Sequence, residues 1–380
     1  MSSPRKLLLL YARFLFLPVV QLLVIGSALV GGNWLWVGLA IYCTLTLVAD
    51  EFAGETEATE QKPNSVFHDM TLYLTVVLMV VEMILLAWYL GSGDFLGIGH
   101  IMSHFGADLI GAREGSSLIH ILGLIWSVGF TLAGAGGGGG HELMHRTNSR
   151  FDFLMGKLVL SMCSYSSFMF EHVYGHHRNV GFNNDCGTAH RGMSLWFHIF
   201  RSMKHSHINA FRFEKDRLER KGMHWFHPKN RVLIGHMFAL ITMSIFIASA
   251  GWYGLAGFLL TAWTAISLIE AFSYLGHYGL VRVPGKPIEP RHSWNSYNGV
   301  LTGMLFNLPR HSNHHQSAHK PYWQLEKETE APIMPLSISL MAAIAMYPPL
   351  FYKCIERSLA HWDQNFASDE ELEILSEQYG

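Results

Sequence analysis

The chain has few charges and no paired cysteines. Only 15% of its 380 residues are charged, while 50% are apolar. A soluble domain carries about 25% charged residues, so an ordinary soluble globular protein is excluded. The formal net charge is −2, which provides no basic field for nucleic acid. The four cysteines, Cys43, Cys163, Cys186 and Cys354, form no Cys-x-x-Cys pair. A zinc ribbon, a rubredoxin-type iron site and an iron–sulfur cluster are thereby excluded. No small-residue cleavage site follows the first long apolar run, so no cleavable leader is predicted. Repeats and low-complexity runs are also missing, apart from Gly136–Gly140.

Long apolar runs are abundant. A membrane span needs about 20 mainly apolar residues. Six stretches meet or approach that length, at roughly 7–30, 33–49, 71–91, 117–140, 231–250 and 252–276. Gly31-Gly32-Asn33 predicts a tight hairpin between the first two, and Gly251-Trp252 another between the last two. A seventh run, about 333–352, is bounded and interrupted by Pro332, Pro335, Pro348 and Pro349. Repeated proline breaks helical hydrogen bonding, so this run predicts an interfacial or re-entrant segment.

Segment 141–231 holds 14 of the 27 Lys and Arg residues, and loop 94–114 holds one, Arg113. The positive-inside rule places 141–231 in the cytoplasm. Six spans then put both termini there, with Arg5 and Lys6 ahead of the first. The expected fold is an all-α integral membrane protein, one domain over residues 1–380, with six transmembrane helices and a cytoplasmic cap. Residues 151–170 and 193–221 predict amphipathic cap helices at the membrane surface. The acidic tail after Trp362 is expected to be solvated.

Nine histidines in four boxes dominate what is present. They are His141 and His145; His172, His176 and His177; His277; and His311, His314 and His315. Spacings of three and four place the members of a box on one helix face. Neutral imidazole is the commonest protein ligand for a transition metal. His277 alone would read as structural, and its claim rests on the other eight. All four boxes fall on that same cytoplasmic side. All-imidazole sites suit zinc, copper, iron and nickel. A hydrolytic zinc site takes three ligands and a water, whereas nine imidazoles can serve two metals with open positions. Iron fits best because open positions admit O₂; copper stays open. Glu142, Glu171, Asp185 and Glu270 are candidates to orient ligand imidazoles, as are His292 and Asn295. Glu142 and Glu171 have a rival reading as partners of Arg146 and Arg178.

The stretches His141–Arg146, Glu171–Arg178, Asp185–Gly192, His277–Arg282, His292–Asn295 and Arg310–His315 resemble, in this order, the membrane-bound alkane 1-monooxygenases. The sibling xylene and alkyl-aromatic methyl hydroxylases of the fatty-acid-desaturase-like superfamily look similar. The third box departs from the alkane pattern: Gly276 stands where those enzymes carry a glutamate, and Glu270, one turn back, is the candidate to compensate. Ala331–Pro335 and Trp362–Phe366 resemble the xylene branch. The resemblance implies that the nine histidines hold two non-haem irons. It also implies O₂-dependent hydroxylation of a terminal methyl group, n-alkane to 1-alkanol, in a bacterial inner membrane. The implied electron donor is rubredoxin with its reductase, or a ferredoxin-type reductase in the xylene branch.

The spans would admit hydrocarbon from the bilayer. Tyr42, about two turns before Asp50, either limits how deeply a chain inserts or packs against a neighbouring helix. The basic stretch Arg201–Lys229 suits membrane lipid head groups, and an acidic donor second. Rival functions are methyl hydroxylation of alkyl-aromatics, lipid desaturation or hydroxylation, metal transport and intramembrane zinc proteolysis. Transport needs ionisable residues within the spans, where only Glu82 and Glu270 stand out. Zinc proteolysis uses His141, Glu142 and His145 and leaves seven of the nine histidines idle.

Overall fold

The computed structural model describes residues 10–56 and 65–379. Arg5, Lys6 and the start of the first expected span lie outside them. Among the described residues the protein is helical, with two isolated bridges, Glu55–Asn298 and Asn295–Ile333, in place of any sheet. Helices α1 (Leu10–Val30), α2 (Gly32–Phe52), α3 (Ser65–Leu90) and α4 (Leu118–His145) are followed by two amphipathic helices, α5 (Arg150–Met162) and α6 (Leu195–Glu219), and then by α7 (Arg231–His277). Five of these, α1 to α4 and α7, are long and apolar enough to cross a membrane. Helix is the open-chain structure that satisfies its own backbone groups in lipid.

The sequence leads one to expect six separate spans; the structure has five such helices, the last bent back on itself. A straight helix of 47 residues would be about 70 Å long, more than twice the roughly 30 Å of a hydrocarbon core. Gly251 breaks it, at φ 58° and ψ −133°. The rings of Phe246 and Phe258 then meet with centroids 5.5 Å apart. A continuous helix would hold them about 18 Å apart. Gly31, at φ 76°, makes the expected turn between α1 and α2.

Glycines also let the cap approach α4. A Cβ on Gly140 would lie 2.6 Å from Val159 of α5, and one on Gly156 would lie 3.0 Å from the Gly140 carbonyl. The run Gly136–Gly140 is thus a contact surface, where small residues allow close helix packing. Helix α6 buries His198, Ser202, Ser206, Ala210, Glu214 and Leu218, four residues apart, and exposes Trp196, Phe197, Phe200, Lys204, Arg212 and Lys215.

The proline-rich run becomes two helices, Ile338–Ala345 and Pro348–Asn365, with Pro348 in the first turn of the second, where its missing N–H costs nothing. The acidic tail is solvated only in part: Asp369, Glu370 and Glu373 are exposed as expected, but one face is docked. It forms the helix Asp369–Tyr379, with Glu371 and Leu375 buried. Glu371 is drawn in by Arg291 and His292.

Glu214 ties α6 to the start of α7. Its carboxylate accepts from Arg217 at 2.7 and 2.8 Å, and from the Arg231 side chain at 2.6 and 2.9 Å. Burial pushes the Glu214 carboxyl up, but its arginine partners outweigh this and hold it below the ordinary carboxylate value. A carboxyl depressed on folding stabilises above its unfolded value, about 4.3, and loses that contribution as pH falls through the folded value. Glu214→Ala should lower stability by about 3–5 kcal/mol at neutral pH, because it strands buried charge. Thermal unfolding in detergent should show this deficit, and the deficit should shrink below about pH 4. A mutant that melts with wild type at pH 7 would refute the account.

Candidate metal centre

Each box is delivered by a different local device. Helix α4 ends in a π-helical turn, Ala135–Gly140, and one further α-turn carries His141 and His145. The second box is itself a π-helical turn, His172–His176. At the roughly 100° per residue of an α-helix, His177 would point well away from His172. At the roughly 80° of a π turn, His176 and His177 fall on either side of it. His277 is the last residue of α7. The fourth box is the short helix His311–Gln316. Asn295 fixes its start, accepting from the Ser312 N–H at 3.0 Å and donating to the Ser312 hydroxyl at 2.7 Å.

The structure brings all nine histidines together in two groups. One holds His141, His145, His172, His177 and His314; the other holds His176, His277, His311 and His315. The second and fourth boxes each feed both groups. Nε2 atoms face one another between His141 and His172 at 2.8 Å, His172 and His177 at 3.0 Å, and His177 and His314 at 3.1 Å. In the second group His277 faces His311 at 3.0 Å and His315 at 3.1 Å, and those two are 3.2 Å apart. The buried Nε2 of His145 has no hydrogen-bond partner.

These spacings suit metal ions. Two nitrogens each about 2.1 Å from one metal lie about 3.0 Å apart at a right angle and about 3.4 Å apart at the tetrahedral angle. The observed contacts of 2.8–3.2 Å are close to the separations of nitrogens that share one metal.

Burial holds His172, His177, His311, His314 and His315 well below the usual imidazole value, with neighbouring imidazoles adding to the effect. They are therefore neutral, the form that ligates. Burial acts the same way on His176, but Asp185 outweighs it and raises that imidazole. Asp185 Oδ2 lies 2.8 Å from His176 Nδ1 and accepts from the Thr188 hydroxyl at 2.6 Å. His277 Nδ1 donates to the His292 carbonyl at 2.9 Å. Both contacts leave Nε2 turned inward.

The other candidate carboxylates are turned elsewhere. Glu142 accepts twice from Arg146 at 3.1 Å. Glu171 accepts from the Cys186 thiol at 3.1 Å, and burial pushes its carboxyl up to about 7. Glu270 accepts from the Tyr165 hydroxyl and lies 3.4 Å from His198. Gly276 has its own reason: a Cβ there would lie 2.9 Å from His311 Nε2. Cys186 and Tyr165 were not legible as neighbours of the centre, since nothing in their local sequence points to Glu171 or Glu270.

A cavity of about 550 Å³ adjoins both groups. His141, His172, His176 and His311 form part of its wall, and Trp126, Phe130, Trp263 and Phe272 line the apolar remainder. Tyr42 lies in that wall too, edge-on to Phe130 at 5.4 Å.

The fatty acid desaturase family model matches residues 116–341. Alkane 1-monooxygenase 2 of Pseudomonas aeruginosa is 31% identical over 327 residues, 84% of this chain and 82% of that protein. Alkane 1-monooxygenase 2 of Alcanivorax borkumensis is 33% identical over 272 residues, 70% of this chain and 71% of that protein. The xylene/toluene monooxygenase hydroxylase component of Pseudomonas putida is 27% identical over 366 residues, 95% of this chain and 92% of that protein. With its apolar helices and histidine groups, the chain is a membrane oxidoreductase of the monooxygenase type and belongs to the fatty acid desaturase family.

Proposed function

We propose that this protein hydroxylates the terminal methyl group of a medium- or long-chain n-alkane, giving the 1-alkanol, with O₂ and two electrons. The observation that carries this reading is the continuity of the apolar cavity with the two histidine groups. Relatives named alkane 1-monooxygenase support the substrate class. In this reading His141, His145, His172, His177 and His314 hold one iron, and His176, His277, His311 and His315 hold the other. The two bound irons supply the O₂ activation that an unactivated C–H bond requires.

The chain's own residues do the placing. The cavity wall takes up an extended hydrocarbon and excludes water, leaving one chain end at the histidine rim. Asp185 and the His292 carbonyl fix the rings of His176 and His277 and raise their basicity. Electrons come from a separate protein, rubredoxin with its reductase or a ferredoxin-type reductase, since the chain carries no Cys-x-x-Cys pair. The two arms of α7 count as two crossings, giving six spans in a bacterial inner membrane. The basic residues of segment 141–231 support a cytoplasmic position for the boxes and both termini. The exposed aromatic and basic face of α6 meets lipid head groups.

A second reading, methyl hydroxylation of alkyl-aromatics, is favoured by the xylene/toluene relative, whose match spans 95% of this chain. Gas chromatography of products from cells supplied with a redox partner and fed octane, hexadecane or xylene separates the two.

Elemental analysis of the purified protein should find two irons per chain. One stoichiometric zinc and no iron would sink the di-iron reading.

His314→Ala should lower hydroxylation at least about 100-fold, since loss of a ligand exceeds the effect of losing a ligand's support. His104→Ala and His361→Ala, at exposed positions, should leave it intact. Full activity in His314→Ala would contradict the ligand assignment.

Tyr42→Ser should extend the accepted chain length without changing iron content, because the ring occupies the cavity wall. Product profiles across an alkane series decide. An unchanged length preference would leave Tyr42 as a packing residue against Phe130.

A further inference from the structure

The C-terminal helix Asp369–Tyr379 is remote in sequence from every histidine box, yet one of its acids reaches toward the centre. Glu371 is 1% exposed. Its Oε1 accepts from His292 Nε2 at 2.7 Å. Its Oε2 accepts from Arg291 Nε at 3.1 Å and from the Ser368 N–H at 2.9 Å. The other ring nitrogen of His292, Nδ1, accepts the Glu289 N–H at 2.9 Å. With Nδ1 accepting, the ring proton sits on Nε2 and faces Glu371. Both ring nitrogens are committed, and the ring is pinned.

The same residue's carbonyl accepts from Nδ1 of His277 at 2.9 Å. That bond directs His277 Nε2 toward His311 and His315. Trp362, in the helix Pro348–Asn365, donates to the Arg291 carbonyl at 2.7 Å. The C-terminal region therefore grips the Arg291–His292 segment at two points. Among the described residues the C-terminal helix makes no hydrogen bond to the five-histidine group.

We propose that Glu371 is a positioning residue for the metal centre. Through His292 it sets the ring of His277, so the C-terminal helix governs metal binding at the four-histidine position and not at the five-histidine one. This rests on the two-iron reading.

Anaerobic Fe(II) titration of the full chain, with elemental analysis and Mössbauer spectra, tests it. Wild type is expected to bind two equivalents. Glu371→Leu is expected to keep one tight equivalent and to weaken the other about 10–100-fold, the usual effect of losing a ligand's outer support. Glu371→Gln, whose amide oxygen still accepts from His292, is expected to restore both. Arg291→Met removes the other side-chain partner of Glu371 and is expected to leave both equivalents tight, which a merely structural role for the docked helix would not produce. Where Glu371→Leu fails to fold, His292→Phe keeps the carbonyl and the ring volume but loses both ring hydrogen bonds. It is expected to give the same single tight equivalent. Two undiminished equivalents in Glu371→Leu or His292→Phe, or equal weakening of both, would overturn the proposal. A wild-type chain that binds one metal would overturn the two-iron reading instead.

Discussion

Imidazole nitrogens that face one another at 2.8–3.2 Å with lone pairs on both sides repel. Burial removes the water that would otherwise lie between them, and an unpaired buried polar group is costly. A bound cation would turn that repulsion into ligation. The surrounding fold keeps the rings converging. Four segments separated by up to 170 residues must end at one place, since His141 and His311 line the same cavity wall. The glycine contact between α4 and α5 and the Asn295 clamp on the fourth box each fix one of those ends.

The histidines were legible in the sequence because ligand spacing on a helix is a local property. Separations of three and four residues place two rings on one face whatever the rest of the chain does. The hairpin at Gly251 was legible for a similar reason, as a small residue between two apolar runs. The partners of the rings were not. Glu142, Glu171 and Glu270 all lie near the boxes in sequence, but a side chain's direction depends on what packs opposite. Arg146, Cys186 and Tyr165 turned them away from the imidazoles. Asp185 meets His176 because it sits on a loop that folds back over the second box, where a Cβ on Gly187 would lie 2.5 Å from His176 Nδ1. The tail's composition gave the exposure of Asp369, Glu370 and Glu373 but not its docking, because burial of Glu371 depends on Arg291 and His292, 80 and 79 residues away.

At three π-helical turns, Thr44–Ala49, Ala135–Gly140 and His172–His176, regular α-helix gives way without a break in the chain's helical course. All three border the same space: Thr46 and Leu47, Gly137, and His172 and His176 line the cavity. A π turn inserts one extra residue per turn and widens the helix while keeping every backbone bond, now i→i+5. That property matters in a membrane, where a broken bond would have no water to replace it. A kink or loop could also redirect a helix, but it would free backbone groups beside the hydrocarbon. The π turn redirects side chains at constant satisfaction. In the second box it separates His176 from His177 so that one segment serves both groups. In α4 it shifts His141 and His145 around the helix relative to the residues that line the cavity above them. The rings of the first two boxes and the apolar space beside them are thus shaped by the same kind of turn, so those rings cannot move without also reshaping the cavity that adjoins them.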